Sequence, residues 1–165
     1  MILLKLGDDA IKGDSTVEGH ENWITCDAIQ AGASRSITHS AGGKDRDTSN
    51  PNFTDVVITK STDIASTDLF MQSVMGKSLG DKAQVDFIQT GGEEAKKQVF
   101  MSWFLHEPII SSFSLSSSGD RPMEHFTISF TKIQVQYNQF QEGKDPKTGK
   151  KKGWDVMKNQ VLPPE

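Results

Sequence analysis

The chain has 165 residues and a mass of 18.2 kDa, room for one domain or two small ones. Its 18 Lys and Arg against 22 Asp and Glu leave a net charge of -4, which excludes a uniformly basic nucleic-acid binder because nothing would offset phosphate repulsion. No apolar run reaches the length of a membrane span, and the opening Met1-Ile2-Leu3-Leu4-Lys5-Leu6-Gly7-Asp8-Asp9 meets acid too soon for a signal peptide.

Most of the periodicity is period two, which reads as β-strand. Ile2 to Leu6 is a short first strand. Trp23 to Gln30 is a second, with Ile24, Cys26, Ala28 and Gln30 expected on one face. Ser40 to Asn52 holds no bulky apolar residue and reads as a long loop, a class of segment that often carries function. Phe53 to Lys60 is β-branched and bounded by Pro51 and Ser61. Residues 66–76 read as the one helix. Ser66 or Thr67 is its expected cap, Asp68 complements the dipole, and Gly76 ends it in a left-handed conformation. Leu69, Phe70, Met71, Val74 and Met75 supply its apolar face.

Ala83, Val85 and Phe87 alternate with polar residues. From Val99 to His106 both faces are partly apolar, so that strand is expected to be covered on both sides, as a neighbouring subunit could do. Ile109 to Ser116 follows. The longest strand is expected from Glu124 to about Phe140. Its apolar positions switch parity between Phe130 and Ile133, which predicts a bulge or sharp bend near Thr131–Lys132. Residues 141–165 form a Lys-rich loop and a C-terminal return through Trp154 and Val156. One helix amid seven or more strands predicts a mainly β fold, a barrel or sandwich plugged by the helix.

The candidate chemistry is sparse. Gly76-Lys77-Ser78-Leu79-Gly80 matches the G-x-S-x-G pattern of hydrolases, but that elbow needs a strand before the serine and a helix after it. Here the order is reversed, and the segment reads as a helix end and turn. Cys26, His20, His39, His106 and His125 show no metal-ligand spacing, although His106 and His125 could meet across strands. Ala41-Gly42-Gly43-Lys44-Asp45 lacks the first glycine and the Ser/Thr of a phosphate loop. The lysines at 144, 147, 150, 151 and 152 read as a solvated hairpin tip. Without interleaved aromatics they do not suggest RNA. A lone cysteine gives no internal disulfide, so folding in a reducing cytoplasm is expected. No cofactor and no metal are expected, and a binding or assembly module fits better than an enzyme.

An ordered set of motifs then resembles one family. Ile11-Lys12-Gly13-Asp14-Ser15 and Gly19-His20-Glu21-Asn22-Trp23-Ile24 resemble the "v-x-G-E-S-x-D-x-x-H-x-x-W-I" opening of haemolysin-coregulated proteins, the Hcp tube subunits of type VI secretion. Thr59-Lys60-Ser61-Thr62-Asp63-Ile64-Ala65-Ser66 is similar to the family's "T-K-x-x-D-x-x-S" run before its helix, and Gly76-Lys77 to the "G-K" that closes it. Ser117-Ser118-Gly119-Asp120-Arg121-Pro122 with Glu124, then Phe130-Thr131-Lys132-Ile133 with Tyr137, and Gly153-Trp154-Asp155 follow in family order.

The resemblance implies a single antiparallel β-barrel domain over 1–165 with one flanking helix, related to phage tail-tube proteins. It implies a homo-hexamer whose rings stack inside a contractile sheath, tipped by a spike trimer. Contraction would expel the tube, with small effector proteins in its channel. It implies no enzyme activity, no nucleic-acid partner, no membrane insertion, and secretion from a bacterial cytoplasm without a cleaved signal. The loop Ala41, Gly42, Gly43, Lys44, Asp45, Arg46 and Asp47 is the expected ring-stacking element, and Gln30 the expected lumen residue. A monomeric β-sandwich that binds carbohydrate or protein is the alternative.

Overall fold

The computed structural model describes residues 1–7, 10–39, 46–91, 96–140 and 147–164. In chain order the strands are β1 (Ile2–Leu6), β2 (Thr16–Val17), β3 (His20–Glu21), β4 (Ile24–Cys26), β5 (Ala28–Gln30), β6 (Ala33–Ser34), β7 (Ile37–His39), β8 (Arg46–Thr48), β9 (Asn52–Phe53) and β10 (Val56–Ser61). Helix α1 (Ser66–Met75) follows, then β11 (Lys82–Gly91), β12 (Lys96–His106), β13 (Ile109–Ser116), β14 (Met123–Ser129), β15 (Lys132–Gln139), β16 (Lys147–Thr148), β17 (Lys152–Asp155) and β18 (Gln160–Leu162).

Two antiparallel sheets sandwich the core. The larger has eight strands in the order β18-β17-β15-β12-β11-β1-β4, with β16 added to β15. The smaller has four, β13-β14-β10-β5. Leu4, Leu6, Ile24, Ile58, Val85, Leu105, Phe126 and Ile128 are fully buried between them. The chain passes from one sheet to the other at three corners, each held by a backbone bond. The Asp27 amide donates to Thr59 O (2.8 Å), Glu107 to Asp81 O (2.8 Å) and Thr131 to His106 O (3.1 Å).

Those corners revise two strands. The expected long strand from Glu124 is two strands in different sheets, turning at Phe130–Thr131. The parity switch marks that corner: Phe126 and Ile128 point into the core from one sheet, Ile133 from the other. The expected strand Trp23–Gln30 divides the same way at Asp27. Ile24 and Cys26 are buried, but beyond the corner Ile29 turns inward, and Ala28 and Gln30 are exposed. The four residues therefore do not share one face.

Helix α1 runs over the expected residues, and Gly76 ends it at φ 62°, with its amide donating to Gln72 O. The start differs. The capping position is Ala65, and Ser66 lies inside the helix. Asp63 does the capping instead. Its carboxylate accepts the Ala65 amide (2.8 Å), while the Asp63 amide donates to Ser66 Oγ (2.9 Å). This reciprocal pair satisfies donors that a helix start leaves open.

Part of the outer face of the larger sheet is covered by the chain's own N-terminal hairpin, while Phe104 of the two-sided strand lies under Lys82 and Lys151. Val17 and Trp23 pack on Leu3, Ile88 and Val99. Beside them His20 Nε2 meets Asp86 Oδ2 at 2.9 Å, and Asp86 Oδ1 accepts Ser102 Oγ at 2.6 Å.

Candidate assembly surfaces

The motif residues that carry the family resemblance build the frame. Gly13 leaves room for the returning chain: a Cβ there would lie 2.3 Å from Trp23 O. Its amide donates to Asn22 O, and Ser15 N to Trp23 O. Lys60 is wholly buried, and its ammonium donates to Asp63 (2.7 Å), Glu124 (3.0 Å) and Ser61 O (2.8 Å). Lys60 and Glu124 face each other across β10 and β14. One cation thus ties two strands of the small sheet to the helix start. Charges at such positions are stable only when paired. Neither Lys60 nor Glu124 is an expected core residue by type, but the alternation carries the signal: Lys60 continues the inward row of Val56 and Ile58, and Glu124 that of Phe126 and Ile128.

The small sheet is the surface most available to a neighbour. Among the described residues its outer strands β5 and β13 each pair on one side only. An uncovered sheet edge is a template for another strand. Across the sheet the directions alternate, so β13 of one copy and β5 of the next would meet antiparallel. The outward face is polar. Gln30, Val57, Thr127 and Ser112 form one row, and Ala28, Thr59, His125 and Ser114 the next. A register shift between Ile110 and Ser112 sets two serines beside Thr127, whose hydroxyl lies 2.6 Å from Ser111 Oγ and 2.7 Å from Ser112 Oγ. Gln30 is exposed on this face, at the edge.

The chain after β5 leaves both large sheets as an arm with two small ladders of its own, β6 with β9 and β7 with β8. Of the expected stacking residues, Ala41, Gly42, Gly43, Lys44 and Asp45 lie outside the described residues. Arg46 and Asp47 stand on β8, opposite His39 and Thr38.

Helix α1 departs from its amphipathic reading. Of its apolar residues only Leu69 is buried, while Phe70, Met71, Val74 and Met75 are 44–68% exposed. Between α1 and β13 runs a groove of about 640 Å³, walled by Phe70, Met71, Phe113 and Leu115, with Glu124 in its lining. A second cleft of about 370 Å³ lies among Phe53, Trp103, Phe130 and Trp154.

No reaction centre forms from the candidates. Ser78 Oγ donates to Gly80 O (3.3 Å), and Leu79 behind it is buried. His106 meets Gln134, and His125 meets Thr59, in different sheets, so the two histidines do not pair. Among the described residues no group of three His, Cys, Asp or Glu could hold a metal. The Cys26 thiol is pushed up to about 12, chiefly by burial. It is therefore a packing residue and not a nucleophile at neutral pH. Among the described residues no helix is long and apolar enough to cross a membrane.

Comparison with known proteins agrees with this frame. A family model described as a type VI secretion system effector, Hcp, matches residues 3–137. Protein hcp1 of Pseudomonas aeruginosa is 32% identical over 112 residues, covering 66% of this chain and 67% of its own. A solved structure described as a type six secretion system protein superposes with a TM-score of 0.85 at 22% identity, covering 98% of both chains. Hcp1 from Salmonella typhimurium gives 0.76 at 23% identity, over 98% of this chain and 97% of its own.

Proposed function

The chain belongs to the Hcp family of type VI secretion, and from that premise we propose that it is the repeating subunit of the secretion tube, closing into hexameric rings through the free edges of its small sheet. The family consists of secreted structural proteins, and this chain is likewise not an enzyme. The observation that carries the reading is the four-stranded sheet whose two edges pair with no further strand among the described residues, with a polar outward face. Six such sheets joined edge to edge make twenty-four antiparallel strands. At about 4.8 Å per strand they give a circumference of about 115 Å and a diameter of about 37 Å, larger if the strands tilt. The polar face then lines the channel, with Gln30 beside each seam.

Rings stack through the arm after β5, with Ala41–Asp47 reaching the adjacent ring. Lys44, Asp45, Arg46 and Asp47 alternate in sign, and exposed pairs of this kind contribute about 0–1 kcal/mol each. They set register more than they hold the stack. A contractile sheath around the stack and a spike trimer at its tip would drive tube and channel contents into a target cell, with export needing no cleaved signal.

Light scattering on the purified chain tests the ring: about 109 kDa, six times 18.2 kDa, supports it, and a stable monomer refutes it in favour of a lone binding module. A second arm tests the seam. Gln30→Cys combined with Ser112→Cys or Ser114→Cys places thiols on the two edges, and Cys26 is buried out of reach. Oxidation should give a covalent ladder ending at six. A ring of full mass with no ladder would move the seam elsewhere.

A further inference from the structure

We propose that the channel wall selects cationic cargo, because the outward face of the small sheet bears hydroxyls, is flanked by two carboxylates and, on its described strands, presents no exposed lysine or arginine. This rests on the ring reading, which turns that face toward the axis. The strands β5, β10, β13 and β14 contain three ionisable side chains, Lys60, Glu124 and His125. Lys60 and Glu124 are wholly buried on the core side. That leaves His125 in the middle of the face, its Nδ1 3.0 Å from Thr59 Oγ1. Lysines of the sandwich lie on the other sheet, at Lys82, Lys97 and Lys132 among others.

Two carboxylates flank the face at opposite ends of the strands; beyond the Asp27 end the β13–β14 loop adds exposed Asp120 and Arg121, which offset each other. Asp27, just before β5, accepts a hydrogen bond from Ser61 Oγ at 3.2 Å. Asp55, just before β10, accepts one from Ser111 Oγ at 2.6 Å. Six residues of β10 separate these levels, about 20 Å at ~3.3 Å per residue. In a hexamer they become two belts of six carboxylates, with a belt of imidazoles and many hydroxyls between. At physiological salt charges are screened beyond about 8 Å, so the belts act on cargo that touches the wall rather than across the channel. A lysine- or arginine-rich surface gains charge-assisted bonds at both belts and hydroxyl acceptors between them. An acidic surface meets repulsion at both belts and, on the strands between them, no exposed lysine or arginine.

The test titrates purified rings, first verified by mass, with fluorescein-labelled decalysine and with decaglutamate. Decalysine is expected to bind, to weaken at least tenfold between 0.05 and 0.5 M NaCl, and to outcompete decaglutamate at every salt. Asp27→Asn with Asp55→Asn should weaken decalysine tenfold or more, and His125→Glu should tighten it at least threefold. Glu18→Gln, in the exposed turn of the N-terminal hairpin, should leave it unchanged. Decalysine held within twofold by rings lacking both aspartates, or decaglutamate binding equally well, overturns the charge selection while the ring stands. A chain that stays monomeric overturns the ring and the selection together.

Discussion

Replacing Lys60 by methionine tests the frame beneath these surfaces. The substitution keeps most of the side-chain volume and removes the charge. In the wild-type chain the ammonium is wholly buried and holds two carboxylates, Asp63 and Glu124, whose side chains are 6% and 0% exposed. Glu124 Oε2 accepts from Lys60 and Oε1 has no partner, so loss of Lys60 leaves that carboxylate without any hydrogen bond from a side chain or amide among the described residues. Removing one partner of a buried pair costs about 3–5 kcal/mol, a large share of the 5–15 kcal/mol that typically stabilises a domain. With a urea slope of about 2–3 kcal/mol per molar, the midpoint should fall by about 1–2 M. The measurement belongs at a protein concentration where light scattering shows dissociated subunits, because assembly adds to apparent stability. Lys60→Met with Glu124→Leu should recover stability to within about 1.5 kcal/mol of wild type, since an apolar replacement of the whole pair removes the uncompensated charge. Asp63 still caps α1 in that double variant. A loss below about 1 kcal/mol for the single variant would refute the idea that Lys60 ties strand, strand and helix together.

Three further outcomes are expected. Cys26 keeps its proton up to about pH 12 in the folded chain, whereas an unfolded thiol ionises near 9, so the unfolded state gains between pH 9 and 12 and folding stability falls there. Comparing Cys26→Ala with wild type across that range should show a steeper loss in wild type, and equal slopes would sink the assignment. Gly13→Ala forces a Cβ against the Trp23 carbonyl, and should cost about 1–3 kcal/mol as an overpacking change while altering Trp fluorescence as the N-terminal hairpin lifts. Gln30→Arg, on an exposed edge position, should leave the mass of the ring unchanged but reduce retention of decalysine, and unaltered retention would remove Gln30 from the wall.

What could be read in the sequence was governed by how local each signal is. Strand β1 has the expected bounds because alternation over five residues is a local pattern, and the helix end at Gly76 follows from one residue's backbone freedom. Periodicity says which side chains share a face and is silent about what covers that face. Phe70, Met71 and Val74 share one, yet in the single chain solvent meets it. Parity changes mark corners, but a corner and a bulge give the same one-residue slip, so the move of β14 and β15 into separate sheets was hidden. Lys60 and Glu124 stand in inward rows, but in a sequence charge reads first as surface. The uncovered edges of β5 and β13 depend on which strands pair across the chain, and no local pattern encodes that.

Short edges and a closed ring belong together energetically. Strand β5 has three residues, so a seam of β13 on β5 rests on few main-chain bonds, each contributing about 0.5–1.5 kcal/mol net. In the proposed ring a single seam would therefore be weak, and an open pair of subunits would fall apart readily. Closure changes the arithmetic, because the sixth seam forms within one assembly at an effective concentration in the millimolar range. If one seam alone has a dissociation constant of about 10 μM, the closing step is favoured by about a hundredfold without any new contact. The proposed rings would then coexist with single subunits and few intermediates. The apolar groove beside β13 adds to each seam whatever area of Phe70, Met71 and Leu115 the neighbour covers, at about 25 cal/mol per Å². A tube that must assemble on demand and come apart after delivery is better served by many such seams than by one strong interface, and in the proposed ring the three-residue β5 edge would keep each seam weak.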